Sequence, residues 1–215
     1  MIPVLIIGKS GAGKSASLRN LPTVGTVVVN VLGKPLPFRS DLKVIHCDDY
    51  AKISAAIKRG AFERCVIDDA GYLMTSQFMG ALAARGNGGN VYSLYSDMAQ
   101  CLWNLIRDIQ GAPGQQRVYL MFHEERSDLG DIKPRTYGRL IEEKVCLEGM
   151  VTICLRAMVS GGRHVFRTQS DGFDVTKAPM GMFAQEEIDN DLALVDDTIV
   201  EYYKINKEET SNENG

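Results

Sequence analysis

The sequence predicts an α/β fold: a mainly parallel sheet flanked by helices, closed near its end by an antiparallel hairpin. Three observations predict it. Apolar runs with little or no alternation, at residues 3–7, 26–31 and 64–68, read as strands buried on both faces, as parallel sheets require. Segments of helical character lie between such runs, the alternation that builds these sheets. Late in the chain the run MVTICLRAMV (150–159) is followed by Gly161-Gly162 and then RHVFRTQ (163–169), the pattern of a hairpin.

Each element follows in order. Residues 3–7 form the first strand, and a glycine-rich turn follows at once. KSASLRN (14–20) begins a helix that stops before Pro22, since proline ends helical runs. TVVVNV (26–31) and KVIHC (43–47) are the second and third strands. In 50–60, Tyr50, Ile53 and Ile57 share one helical face and Gly60 supplies the stop. RCVID (64–68) is the fourth strand. Residues 74–85 read as helix, GNGG (86–89) breaks it, and 92–109 read as a second, longer helix. RVYLMF (117–122) is the next strand. Residues 124–138 are polar, carry Gly and Pro and show no period, so they read as a long loop. Residues 139–147 have helical character, and a last helix is expected near 189–204.

At 215 residues, with 45% hydrophobic and 24% charged content, the chain has the size of one domain. We expect residues 1–205 to fold as that domain and 206–215, KEETSNENG and its preceding Asn, to form a disordered acidic tail. The five cysteines include no C-x-x-C pair and sit mostly in apolar runs, so they read as reduced core thiols of a cytosolic compartment. Three histidines make no Cys/His zinc spacing, so a metal would arrive with a nucleotide. No apolar run approaches the roughly 18 to 20 residues of a membrane span, which predicts a soluble chain without a membrane partner. The net charge of −3 at first opposes nucleic-acid binding. It averages two unlike parts. Residues 186–215 hold ten acids against two lysines, a balance of −8, which leaves +5 on residues 1–185.

The strongest motif is GKSGAGKS at 8–15, a full match to G-x-x-x-x-G-K-[ST] between a buried strand and a helical segment. Glycines at 8, 11 and 13 let the backbone wrap phosphates with its N–H groups inward. Gly8, Ser10, Gly11, Ala12, Gly13, Lys14, Ser15 and Ala16 are the expected nucleotide contacts, with the following helix adding its dipole. Lys14 would reach the β- and γ-phosphates of ATP, and the Ser15 hydroxyl would take one position on Mg²⁺. In CVIDD, Asp68 is the expected second metal-side residue and Asp69 the acid that polarises an attacking water. Asp69 as a helix cap is the competing reading, and Asp48 or Asp49, after the third strand, are rival catalytic acids.

His123 ends a strand at the edge where a parallel sheet meets its nucleotide, so it is the expected γ-phosphate sensor. A histidine merely satisfied at a strand end is the alternative. Arg126, Lys133, Arg135 and Arg139, in or just past the 124–138 loop, are candidates for nucleic-acid or trans-acting contacts, as is Lys177; ordinary solvated cations are the competing reading. Tyr137 and Phe173 are aromatics able to stack bases or simply to pack.

This ordered set resembles phage-encoded P-loop nucleotide-binding proteins with a RecA-like core, some of which are single-strand annealing proteins. The resemblance rests on GKSGAGKS, VNVLGKPLPF (29–38), VIDDAGYLM (66–74), MFHEE (121–125), TYGRLIEEKVCLEG (136–149), DGFDVTKAPMGMF (171–183) and NDLALVDDTIVEYY (190–203). It implies a RecA-like P-loop ATPase, Mg²⁺-dependent ATP hydrolysis, single-stranded DNA as partner in phage recombination or replication, and a homo-oligomeric ring or filament with nucleotide between subunits. A single-stranded-DNA-binding protein is a further implied partner, and the bacterial host cytoplasm the implied location. Arg139 stands where the family pattern has lysine, which bears on any trans-acting role there. A nucleotide-dependent interaction module with little turnover, and a small P-loop kinase, are the alternative readings.

Overall fold

The computed structural model describes residues 1–85, 91–127, 130–138, 141 and 144–205. The expected tail at 206–215, the GNGG break and Arg139 lie outside the described residues. Strand β1 (Ile2–Gly8) leads through the glycine turn into a 3-10 segment (Ser15–Asn20), then β2 (Thr26–Asn30), β3 (Lys43–His46), α1 (Tyr50–Arg59) and β4 (Arg64–Asp68). Next come α2 (Tyr72–Arg85), α3 (Val91–Gly111), β5 (Arg117–Arg126) and β6 (Ile132–Pro134). The chain closes with β7 (Ile153–Ser160), β8 (Arg163–Arg167), β9 (Glu187–Asp189) and α4 (Leu192–Tyr202).

The sheet runs β3-β2-β4-β5-β1-β7-β8-β9, with β6 pairing the far end of β5. Strands β3 through β7 along this path are parallel, and β8 and β9 add antiparallel. The mainly parallel α/β sheet with a late hairpin is therefore as expected. Alternation explains the three layers. Leu5 and Ile7 of β1, Cys65 and Ile67 of β4, and Leu120 and Phe122 of β5 pack against Ile53 and Ile57 of α1, Leu73 of α2 and the Leu102–Ile109 stretch of α3. Their neighbours Val4, Ile6, Val66, Tyr119 and Met121 face the other way, onto Leu18, Leu192, Val195 and Ile199. Each such buried side chain contributes about 1.5–3 kcal/mol. Strand β3 lies at the sheet edge and its four side chains are exposed.

Three expectations are corrected. The helix after the glycine turn is only a six-residue 3-10 segment. Ser17 Oγ donates to Lys14 O at 2.6 Å, and the Ser17 N–H is shared between Gly13 O and Lys14 O, so i→i−3 bonding competes with the α-helical ladder before Pro22 stops it. Its dipole contribution is correspondingly small. The expected loop at 124–138 is in part a hairpin: β5 continues to Arg126 and pairs with β6 through Glu124–Pro134, Glu125–Lys133 and Arg126–Ile132. Alternation of polar and apolar residues over three positions was too short a signal. Finally, Cys146 is an exposed thiol, whereas Cys65 and Cys154 are buried as expected. Strand β9 was not expected at all.

Candidate functional site

The parallel strands β3, β2, β4, β5, β1 and β7 all run toward one edge of the sheet, and the phosphate-loop motif sits there because β1 runs straight into it. Strand β5 lies between β1 and β4. Residue 8 pairs with His123 on one side and with Ala157 on the other, so β5 delivers His123 beside the loop. Strand β4 is two spacings, about 10 Å, from β1. Asp68, which ends β4, and Asp69 after it reach across the intervening strand end toward the loop.

Gly11 and Gly13 take φ of +77° and +100°, the left-handed region that only glycine enters freely. A Cβ at 13 would also lie 2.8 Å from Asn190 Oδ1, so the loop's outer wall is closed by the segment between β9 and α4. His164 Nδ1 rests 3.2 Å from Ala12 O, and Arg19 donates to Asn190 O at 2.6 Å. Lys9, Ser10 and Gly11 face solvent, Ala12 is buried, and Ala16 is half-buried.

Lys14 is 7% exposed and turns back on its own loop, donating to Gly8 O at 2.6 Å and Lys9 O at 2.9 Å. Burial lowers its pKa, opposed by Asp69, Asp68 and Glu124. Ser15 Oγ donates to Asp68 Oδ1 at 3.0 Å, joining the loop to the end of β4. Burial, and the neighbouring Asp69, raise the Asp68 pKa. A buried carboxylate so disfavoured as an anion, with a hydroxyl at its side, is a place where a cation would be welcome. Among the described residues no group of three or more His, Cys, Asp or Glu could hold a metal. Mg²⁺ does not need one, because it is bound through one or two protein oxygens with phosphates and waters completing the shell. Ser15 and Asp68 fit that role.

Asp69 is 5% exposed and has φ +59°, an uncommon backbone state for a residue other than glycine. Its carboxylate ion-pairs with Lys34, and its Oδ1 stands 3.6 Å from His123 Nε2. His123 also meets the Tyr72 ring edge-on at 5.8 Å. Burial, and then Lys14, lower the His123 pKa, so the ring is neutral at neutral pH and can share a proton in a hydrogen bond. Its backbone carbonyl accepts from the Arg135 N–H at 2.7 Å, a direct tie between the site and the β5–β6 hairpin.

Asp48 and Asp49 are not brought to this place. They follow β3, four strand positions from β1, or about 19 Å. Asp48 is exposed, and Asp49 caps α1, its Oδ1 accepting from Ala51 N and Lys52 N at 2.9 and 3.2 Å. Of the basic candidates, Arg126 and Arg135 are exposed, Lys133 is 3.3 Å from Glu125 across the hairpin, and Arg135 lies over the Tyr137 ring at 5.4 Å. Tyr137 is half-buried against the core, whereas Phe173 is 66% exposed. Lys177 is half-buried and its backbone pairs with Cys154 of β7.

Sequence reasoning missed three residues. Lys34 lies in VNVLGKPLPF, where a G-K-P turn just after a strand was the available signal. Glu124 and Arg156 form a bidentate pair at 2.8 and 3.1 Å that lines a cavity of about 290 Å³ against Lys9–Ala12. A lone arginine inside the apolar run ICLRAMV was its signal. Among the described residues no helix is long and apolar enough to cross a membrane. Compared with known protein families and with curated proteins, the chain matches no family and no curated sequence.

Proposed function

We propose that the chain binds ATP with Mg²⁺ at residues 8–15 and hydrolyses it, as a RecA-like P-loop ATPase acting on single-stranded DNA. The observation that carries this reading is the convergence of Lys14, the Ser15–Asp68 pair, Asp69 and His123 at one edge of a parallel sheet. The crevice beyond the carboxyl ends of such strands is where α/β folds bind ligands.

The phosphates would occupy the glycine turn, held by its N–H groups, and their arrival would draw Lys14 from the Gly8 and Lys9 carbonyls. Mg²⁺, held by Ser15 and Asp68, would neutralise charge on the β- and γ-phosphates. Asp69, as carboxylate, would orient a water and take its proton while the bond between the γ-phosphorus and the bridging oxygen breaks. His123 would contact the terminal phosphate and pass its presence to the β5–β6 hairpin through the His123–Arg135 backbone bond. That hairpin, carrying Arg126, Lys133 and Arg135, is the surface we assign to DNA, supported by the +5 balance of residues 1–185. Lys177 and Arg139 remain the trans-acting candidates in a homo-oligomer.

The test is phosphate release from ATP, and mass in solution, each with and without single-stranded DNA. Stimulated hydrolysis with assembly is the expected result. Absence of nucleotide binding refutes the reading. A second reading, a small-molecule kinase, is favoured by the 290 Å³ cavity beside Lys9–Ala12, which has room for an acceptor. Phosphate transferred to an acceptor instead of released would select it.

A further inference from the structure

Lys34 is the cation that the phosphate-loop motif does not account for. Its loop begins at the end of β2, where Asn30 pairs with Asp68 and the Val31 N–H donates to Asp68 O at 3.3 Å. Asn30 Nδ2 then donates to Lys34 O, and the Asn30 carbonyl meets His46 Nδ1 at 3.0 Å. Gly33, at φ +67°, turns the chain against the His46 ring. The turn is thus fixed at its base and throws Lys34 across the end of β4 onto Asp69.

Lys34 therefore stands in the same electrostatic neighbourhood as Lys14, Asp68 and His123, on each of which its charge acts. Two ammonium groups and two carboxylates balance in the ligand-free site, with His123 neutral. A triphosphate upsets that balance by adding several negative charges within reach of both lysines. Asp69 then competes with a terminal phosphate for Lys34, and the phosphate is the more highly charged anion. The Lys34 side chain is 56% exposed and has the freedom to transfer.

We propose that Lys34 is a second catalytic cation, supplied from the same chain. It is held by Asp69 until a nucleoside triphosphate arrives, and it then moves to the γ-phosphate. This rests on the ATP reading above. The transfer does two things at once. It places a positive charge on the phosphoryl group as negative charge shifts toward the leaving ADP oxygen. It also frees Asp69 Oδ2, the oxygen that Lys34 occupies, to face the attacking water. The water oxygen forms the new bond to phosphorus, the bond from phosphorus to the β,γ-bridging oxygen breaks, and the water proton goes to Asp69. A diphosphate, lacking the γ-phosphate, leaves the Lys34–Asp69 pair in place.

The test compares the full chain with Lys34→Ala, Lys34→Gln and Lys34→Arg. Calorimetric affinity is measured for ADP and for a non-hydrolysable ATP analogue, each with Mg²⁺, followed by steady-state turnover. We expect the Ala and Gln variants to lose about tenfold or more in affinity for the triphosphate analogue, and to bind ADP within about twofold of the parent. Their kcat should fall by about 10³-fold or more, the scale of a phosphate-stabilising cation, with Lys34→Arg recovering most of it. Melting temperatures should shift by no more than about 4 °C, because Lys34 is 56% exposed although its partner is buried. Equal losses for both nucleotides, no loss for either, or faster turnover in Lys34→Ala would overturn the proposal. A parent chain that binds neither nucleotide would instead overturn the ATP reading itself, and this inference with it.

Discussion

The sheet buries charge at both of its ends. At the end where the parallel strands begin, Arg64 opens β4 and Arg117 opens β5, and both reach Asp196 of α4. Arg64 Nε donates to Oδ2 at 2.9 Å, while Arg117 donates to both oxygens at 2.8 and 2.9 Å. The Tyr119 hydroxyl adds a further donor to Oδ1. Arg64 also binds Val24 O and Thr26 Oγ1. At the opposite end, among the described residues, Lys14 donates only to carbonyls and Asp68 receives only a serine hydroxyl on its side chain, while Asp69 sits in a strained backbone paired to a lysine that is mostly in solvent. One end is satisfied by the chain alone and holds α4 to the sheet. The other leaves Lys14, Asp68 and Asp69 with fewer side-chain partners. Buried charge whose pairing is left unfinished is the kind that points to a candidate site.

That contrast can be broken by substitution, and stability is the common scale. Asp196→Ala should have the largest effect, about 3–5 kcal/mol, because it leaves two buried guanidinium groups without their carboxylate. Chemical denaturation checks it, and a loss below about 1 kcal/mol would mean the network does not hold the fold. Acid acts on the same group. Burial alone would raise the Asp196 pKa, but Arg117, Tyr119 and Arg64 together outweigh it and hold the pKa below its ordinary value. The stabilisation is therefore present above the unfolded value of about 3.9 and is lost as pH falls through the lower folded value. Unfolding midpoints measured down to about pH 2 should drop in the parent and much less in Asp196→Asn.

At the other end effects on stability shrink while effects on function grow. Asp69→Gly removes the strained φ, so stability should stay level or rise by up to about 1 kcal/mol, with ATP turnover lost. A fall of more than about 1 kcal/mol would place Asp69 among the structural charges. Lys14→Ala should move stability least, within about 0.5 kcal/mol, since burial already disfavours the ammonium, yet it should abolish nucleotide binding. Calorimetry with ATP beside a melting curve separates the two.

Much of this was legible in residues alone, for identifiable reasons. The run PVLII followed by GKSGAGKS specifies a buried strand and a tight turn through local chemistry, and CVIDD does the same for the acid strand. Both are statements about neighbours in the chain. What escaped depends on distant partners. Residues 124–138 look irregular until Glu125 finds Lys133, and β9 is three residues whose only reason to extend is the free edge of β8. Asp49 looked like a rival acid because sequence does not reveal that β3 lies at the far edge of the sheet.

The sequence by itself determined the α/β class, the parallel core and the glycine turn that follows the first strand, because apolar runs and glycine spacing act over a few residues. Only the tertiary structure decided which charges meet. Strand order set β5 between β1 and β4 and so brought His123 to Asp69; it also placed Lys34 on that acid and carried Asp48 and Asp49 away. Strand order is fixed by which faces bury together across the whole chain, and no short stretch of residues contains that information.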